Sequence, residues 1–434
     1  MASIDALGEQ LQHVERTLRA SRPVAILFHP DVLSRPARPY VPLPPTPKGF
    51  SRADVNAFLA ELPAQIEGRR VVVYVCDEAA RCPGIQALTT RLAEALSAPM
   101  VWSVNGANAV SHDNPHGYGY ISFGGNDEAM KLWRSVGPED IVLTLGFDPG
   151  EFAIDLQSIT AGHVWHLGAF EEGFGHHDGE FAHRITGQYH RVRGDVGLIL
   201  ADVLPHLERL AAGRRPGTPA PAWLNTRTIA RPTQESCVDL VAFYEAIHRL
   251  SRPNSVGFDD VCVSFKDRQY VGQRPHPNIR FYNSQDGAAM GGAFGFGIGA
   301  KLADPSLHTF VLSGDGCFRL YGAALSEAAG LDLRLFILNN GTFALVETML
   351  DVVLPDVERP RYHGKLPRCD YGAMARAQGW DAYRLKPDLS NLPEIMDVCS
   401  ARRGRSILVD VPVDDRQLVG YNPRVDKVSL ETYL

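Results

Sequence analysis

The 434-residue chain contains no run of about 18 apolar residues, which argues against a membrane-spanning helix. It also lacks an excess of positive charge. Lys and Arg number 43 against 50 Asp and Glu, a net charge of −7 with a pI near 6.1. That balance gives no electrostatic footprint for nucleic acid or an anionic membrane. The seven cysteines form no C-x-x-C pair and no zinc spacing, so they read as reduced thiols in a reducing, cytoplasmic setting. The first twenty residues carry Asp5, Glu9 and Glu15 without a continuous apolar stretch, which argues against a signal peptide. No G-x-G-x-x-G follows the first strand of the central block, so little supports a nucleotide-dependent oxidoreductase. There is no internal repeat.

What is present is enough apolar residue, 45% of the chain, to bury real cores. The length implies about two to four domains. Two proline-rich stretches punctuate it, Arg35 to Lys48 and Gly213 to Ala222. They divide the chain into an N-terminal piece (1–35), a connector (36–65), a central domain (66–212), a second connector (213–233) and a C-terminal domain (234–434).

Apolar runs in the central block predict strands at 71–76, 99–104, 140–146 and 163–168, with a helix from Gly84 to Ser97. The C-terminal block predicts strands at 260–265, 309–313, 333–339 and 406–411. Strands separated by helices imply an α/β fold with two doubly wound parallel sheets. The N-terminal piece reads as a helix over Ile4 to Ala20 and a strand over Val24 to Phe28, a fragment that needs another sheet to join.

Chemistry concentrates between Thr309 and Phe343. One predicted strand runs into Gly314-Asp315-Gly316 and another into Asn339-Asn340-Gly341. In an open parallel sheet, ligands bind beyond the carboxyl ends of the strands. Asp315 and Asn340 there offer hard oxygen donors suited to magnesium, which is usually held by a few protein oxygens plus phosphates. The glycines beside Asp315 let backbone amides approach an anion, and a helix opening near Cys317 turns its free amides toward the same place. Alone, Gly-Asp-Gly or Asn-Asn-Gly is a common turn; the pairing of both with strands, one helix apart, describes a magnesium-diphosphate site. The motif Gly175-His176-His177-Asp178-Gly179 is read as a loop rather than a metal site, because adjacent histidines point apart.

These elements resemble the signature of thiamine diphosphate enzymes of the acetolactate synthase and 2-oxo acid decarboxylase family, GDG followed after an interval by NN. The interval here, Cys317 to Leu338, is slightly short for that family but is again a helix plus a strand. The segment SQDGAAMGGAFGFGIGA (284–300) is similar to the glycine-rich stretch that precedes GDG in acetolactate synthases. The resemblance makes Met290 the bulky residue that bends the cofactor. It places Ala288 where relatives have a glycine whose carbonyl meets the pyrimidine amine. It implies cofactor contacts at Gly314, Asp315, Gly316 and Cys317, and metal ligation by Asp315, Asn340 and the backbone carbonyl of Thr342. Residues 97–120 and 140–149 resemble the middle domain of the same enzymes, which in some relatives holds a flavin or nucleotide.

Such enzymes begin with a pyrimidine-binding domain that supplies a glutamate for activating the cofactor. Residues 1–35 resemble only its closing helix and strand. The resemblance therefore implies the large subunit of a split, hetero-oligomeric enzyme, completed by a separate pyrimidine-domain subunit. Its substrate would be a 2-oxo acid and its outcome acyloin formation, because Val346 stands where pyruvate decarboxylases carry a glutamate. Glu347, one place later, is the only catalytic candidate in the chain. Aldehyde release and a non-catalytic cofactor-binding subunit are the alternatives.

Overall fold

In the computed structural model, which describes residues 6–19, 24–37, 39–44, 48–147, 153, 158–169, 184–211, 219–283, 288–401, 404–423 and 425, two parallel sheets organise the chain. The run Val71–Val75 (β1) is buried at every residue, as expected for a strand covered on both faces. Beside it lie β2 (Met100–Trp102), β3 (Gly117–Tyr120), β4 (Ile141–Leu145), β5 (His163–Gly168) and β6 (Gln188–Arg193). The order is β3-β2-β1-β4-β5-β6, and every ladder is parallel. Cores built from Val73, Trp102 and Trp165 on one face and Tyr74, Val142 and Phe147 on the other sandwich this sheet.

The second sheet holds β7 (Ser255–Asp259), β8 (Ile279–Asn283), β9 (His308–Gly314), β10 (Arg334–Asn339), β11 (Asp381–Arg384) and β12 (Ile407–Pro412). Its order is β11-β12-β10-β9-β7-β8, again all parallel. The α/β reading with two parallel sheets is thus the observed architecture. Among the described residues no helix is long and apolar enough to cross a membrane, and all seven cysteines are free thiols.

Several local expectations need correction. Helix α1 (Leu7–Arg19) forms, but none of its residues is buried. Val24 to Phe28 forms no strand. A strand exists only against a hydrogen-bonded neighbour, and these residues lie on neither sheet; Leu27 is 82% exposed. The connector 36–65 is too long, since Arg52–Gln65 is helix α2, capped by Ser51 and sunk into the first core through Val55, Phe58 and Leu62. The strand expected at 260–265 is displaced: β7 ends at Asp259 and helix α3 (Val263–Gly272) follows. Residues Ser264 to Val271 are all buried, polar ones included, so this helix has no exposed face and shows no helical periodicity in sequence. The His176-His177 motif lies outside the described residues, as does the start of the second proline-rich stretch.

Helix α3 fills the seam between the two units. Gly124 of the first unit donates to the Tyr421 carbonyl at 2.8 Å. Asn126 donates to the Tyr270 carbonyl at 3.1 Å, and Asn108 to the Phe281 carbonyl at 2.7 Å. These bonds seat the first unit over the carboxyl edge of the second sheet, where the strand ends converge.

Candidate functional site

β9 is apolar and buried until Ser313 and Gly314, where helix α4 (Asp315–Tyr321) starts without an intervening loop. Asp315 is therefore the first helical residue, two before the position expected from sequence. Its carboxylate is buried at 1% exposure. Oδ1 accepts from the Gly316 amide at 3.0 Å and Oδ2 from the Gly341 amide at 2.9 Å. Burial nevertheless pushes its pKa up to about 6, against the lowering effect of those two amides.

β10 delivers Asn340, Gly341 and Thr342 to the same place. The Asn340 side-chain oxygen accepts from the Thr342 amide at 3.0 Å, closing a tight turn around Gly341 at φ +72°. Thr342 donates its hydroxyl to the Gly364 carbonyl at 3.0 Å. That leaves the backbone carbonyl, not the hydroxyl, for a cation. Gly316 has no room for a side chain: a Cβ there would meet the Phe343 ring at 2.7 Å.

A cavity of about 390 Å³ opens over these strand ends. Ala288, Met290, Gly314, Asp315, Gly316, Cys317, Asn340 and Thr342 all line it, so every residue that the sequence assigned to cofactor or metal meets in one place. Among the described lining residues Asp315 is the only ionisable carboxylate, and no lysine, arginine or histidine joins it. Cys317 turns its thiol to the Val261 carbonyl at 3.2 Å, and burial pushes its pKa up. It is a neutral packing group there. Met290, 37% exposed, sits at the rim. Ala288 takes φ +42°, the left-handed region, although it carries a Cβ.

Glu347 is elsewhere. It lies in the first turn of helix α5 (Ala344–Val353) with 2% exposure, away from the cavity. Its Oε2 stands 3.8 Å from Arg359, and Oε1 has no partner among the described residues. The neighbouring Val346, Met349 and Leu350 form the cavity wall instead.

Sequence reasoning missed Asp260. It follows β7, is fully buried, and holds two parts of the site at once. Its carboxylate accepts from the Gly291 amide at 2.9 Å and from the Ser313 hydroxyl at 2.7 Å. It thus ties the turn after Met290 to the strand before Asp315. The displaced strand concealed it, since Asp260 was read as the start of a strand rather than its exit. Asn283, at the end of β8, and Phe123, from the first unit, also line the cavity and were not foreseen.

Comparison with known proteins agrees with this geometry. Residues 262–411 match the family described as thiamine pyrophosphate enzyme, C-terminal TPP binding domain. The chain is 26% identical over 338 residues to a putative acetolactate synthase large subunit, IlvB2, of Mycobacterium tuberculosis. That stretch is 75% of this chain and 57% of the relative, so the match spans little more than half of the curated protein. An acetolactate synthase of Mycobacterium avium is 26% identical over 151 residues, 33% of this chain and 22% of its own. Among solved structures, a thiamine diphosphate-dependent 4-hydroxybenzoylformate decarboxylase of Rhodococcus jostii RHA1 superposes with a TM-score of 0.59. It shares 18% identity and covers 88% of this chain and 67% of its own, a likeness of fold.

Proposed function

We propose that this chain, whose residues 262–411 are a thiamine pyrophosphate-enzyme C-terminal domain, is the diphosphate- and magnesium-binding subunit of a thiamine diphosphate-dependent lyase or carboligase acting on a 2-oxo acid. The observation that carries the reading is the junction of Asp315 and the Asn340 turn, joined through the Gly341 amide at the floor of the cavity.

The residues present fit the group. A carboxylate held at 1% exposure with a raised pKa gains from a divalent cation. Among the described residues the cavity lining offers a diphosphate no cationic side chain, so a metal would balance its charge. Asp315, the Asn340 side-chain oxygen and the Thr342 carbonyl would hold magnesium, and the narrow floor at Gly316 would admit the phosphates. When bound, thiamine diphosphate supplies the nucleophilic carbon and electron sink for 2-oxo acid decarboxylation. The protein's part is to anchor, shape and keep the site dry. Val346, Met349 and Leu350 present no proton donor, which favours carbon–carbon bond formation over aldehyde release.

The reading includes a partner. No glutamate lines the cavity among the described residues. Its rim is apolar and open: Met290 and Phe343 are each 37% exposed and Val346 54%. A pyrimidine-binding domain from another subunit would cover that rim and supply the missing acid. The test is co-purification with a candidate pyrimidine-binding domain, followed by carbon dioxide release from a 2-oxo acid. The pair is expected to turn over where the chain alone does not. Full turnover by the single polypeptide, its purity checked by mass spectrometry, overturns the partner. Failure of the chain to bind thiamine diphosphate with magnesium overturns the function.

A further inference from the structure

A second cavity, of about 290 Å³, lies at the junction of the two units and shares no lining residue with the one described above. The first unit contributes the segment around Asn108 and His112. The second contributes the start of β8, the turn before it and part of helix α3. Asn108 and Phe281, joined across the junction by their 2.7 Å hydrogen bond, both line it.

The lining is basic. His112, His248, Arg268, Arg274, His276 and Arg280 belong to it, and among the described residues no aspartate or glutamate does. In a chain of net charge −7, three arginines gathered without a carboxylate run against the composition.

The arginines are not equivalent. Arg268 is buried, and its charge is met by Asp259, with Nε 2.8 Å from Oδ2. Arg274 donates to the carbonyls of Pro221 at 2.6 Å and Ala222 at 2.9 Å. Those bonds orient the guanidinium without neutralising it, and burial lowers its pKa with no carboxylate to offset the effect. Arg280, on the edge strand β8, makes no hydrogen bond or ion pair among the described residues. Two positive charges therefore stand uncompensated.

The histidines add neutral donors. Burial, with Arg268 and His276 close by, holds the pKa of His248 down to about 3, and its Nε2 is buried without a partner among the described residues. His276 accepts the Asn278 amide on Nδ1 at 3.2 Å, which puts its proton on Nε2. The two rings stack with centroids 5.5 Å apart. A buried ring nitrogen left unmet calls for an explanation in a ligand.

Guanidinium forks and N–H donors that converge without a carboxylate suit an oxyanion. This is not the crevice where a doubly wound sheet takes a nucleotide. That crevice lies where the strand order reverses, here between β1 and β4, and neither strand lines this cavity among the described residues. The volume falls just below the span of about 300 to 1,000 Å³ usual for drug-sized ligands, which restricts the occupant to a small molecule. We propose that the cavity binds a small multivalent oxyanion, a phosphate or a di- or tricarboxylate, through Arg274, Arg280 and His276. The site does not depend on the functional reading above. Its occupant bridges the two units at β8, the strand that ends in Asn283 at the larger cavity.

The experiment titrates inorganic phosphate, and separately citrate, into the purified metal-free chain by calorimetry, against sodium chloride at matched ionic strength. Saturable binding of at least one probe is expected, with one site per chain, and the probe that binds separates a phosphoryl ligand from a carboxylate one. Arg280→Gln removes a charge and breaks no bond, so it is expected to weaken binding about tenfold or more at an unchanged ligand-free melting temperature. Arg280→Lys keeps the charge without the planar fork and is expected to lie between. Asp315→Ala is expected to bind the same probe as wild type does. Loss of binding in Asp315→Ala with retention in Arg280→Gln puts the anion in the larger cavity and overturns the proposal. Equal binding by wild type and Arg280→Gln, or no saturable binding of either probe below about 10 mM, overturns it as well.

Discussion

The backbone amide of Gly341 donates to Oδ2 of Asp315 over 2.9 Å. One hydrogen bond thus joins the ends of two adjacent strands, β9 and β10, at the floor of the cavity. The elements proposed to hold the metal are in register before any ligand arrives, which lowers the ordering cost of binding.

Asp315→Ala removes the only carboxylate among the described lining residues and leaves Gly341 without its acceptor. Thiamine diphosphate affinity in the presence of magnesium is expected to fall by about 10- to 100-fold, the scale of a lost charged hydrogen-bonding group. Asn340→Ala removes a neutral ligand and should cost less. Thr342→Ala should leave metal affinity nearly intact, because its hydroxyl serves the Gly364 carbonyl. Its cost should appear as about 1 kcal/mol of stability. Calorimetry of the three variants checks the ranking; undiminished cofactor binding by Asp315→Ala would remove the metal assignment.

Met290 stands at the rim of the cavity with its neighbour Gly291 pinned by Asp260. Its thioether is expected to support the bound cofactor through shape rather than polarity. Met290→Leu nearly conserves volume and should retain most activity in the assembled enzyme. Met290→Ala should bind cofactor and turn over slowly. Full activity of the alanine variant would make the residue ordinary packing.

Ala288 at φ +42° carries a Cβ where the backbone favours glycine. Left-handed backbone costs a non-glycine residue about 1 to 2 kcal/mol, partly offset by the extra freedom glycine has when unfolded. Ala288→Gly is therefore expected to stabilise the chain by up to about 1 kcal/mol. Thermal melting without ligand decides it: a lower melting temperature would mean that the backbone relaxes in solution.

How far the sequence could be read depended on where each element lies. The seven strands located from apolar runs are β1, β2, β4, β5, β9, β10 and β12, every one interior to its sheet. The strands with no such run are β3, β6, β8 and β11, the four edges. An edge strand is half solvated, and its residues need not be apolar: β6 reads QYHRVR and β11 DAYR. Only β7 was misplaced among interior strands, because the run Val261 to Phe265 belongs to the turn and the start of the buried helix that follow it. The same logic divides the site. Asp315, Asn340 and Met290 were legible because local motifs carry them. Asp260 and Asn283 leave misread or edge strands, and their positions depend on bonds to Gly291, Ser313 and Asn105 far away in sequence. Glu347, the one catalytic candidate, is buried beside Arg359 and is not among the cavity-lining residues.

Asp315 also gives the ligand-free chain a pH signature. Burial raises its pKa from the ordinary 3.8 to about 6 in the folded state. Between those values the folded chain holds a proton that the unfolded chain has released, so stability falls as pH rises from about 4 to about 6. The span of roughly two units corresponds to at most about 3 kcal/mol lost by neutral pH. Asp315→Asn carries no charge to desolvate. It is expected to be more stable than wild type at pH 7 without metal, with the advantage disappearing below about pH 4. Magnesium with thiamine diphosphate reverses the comparison, because the cation favours the ionised carboxylate. Cofactor affinity of wild type should therefore weaken as pH falls through about 6, where protons compete for Asp315, while the residual affinity of Asp315→Asn should be indifferent to pH there. Thermal melts across pH with and without magnesium and cofactor measure both arms. A wild type whose ligand-free stability rises between pH 4 and 6 relative to Asp315→Asn would mean that Asp315 is already compensated by another charge, and the case for a cation at that carboxylate would lose its electrostatic basis.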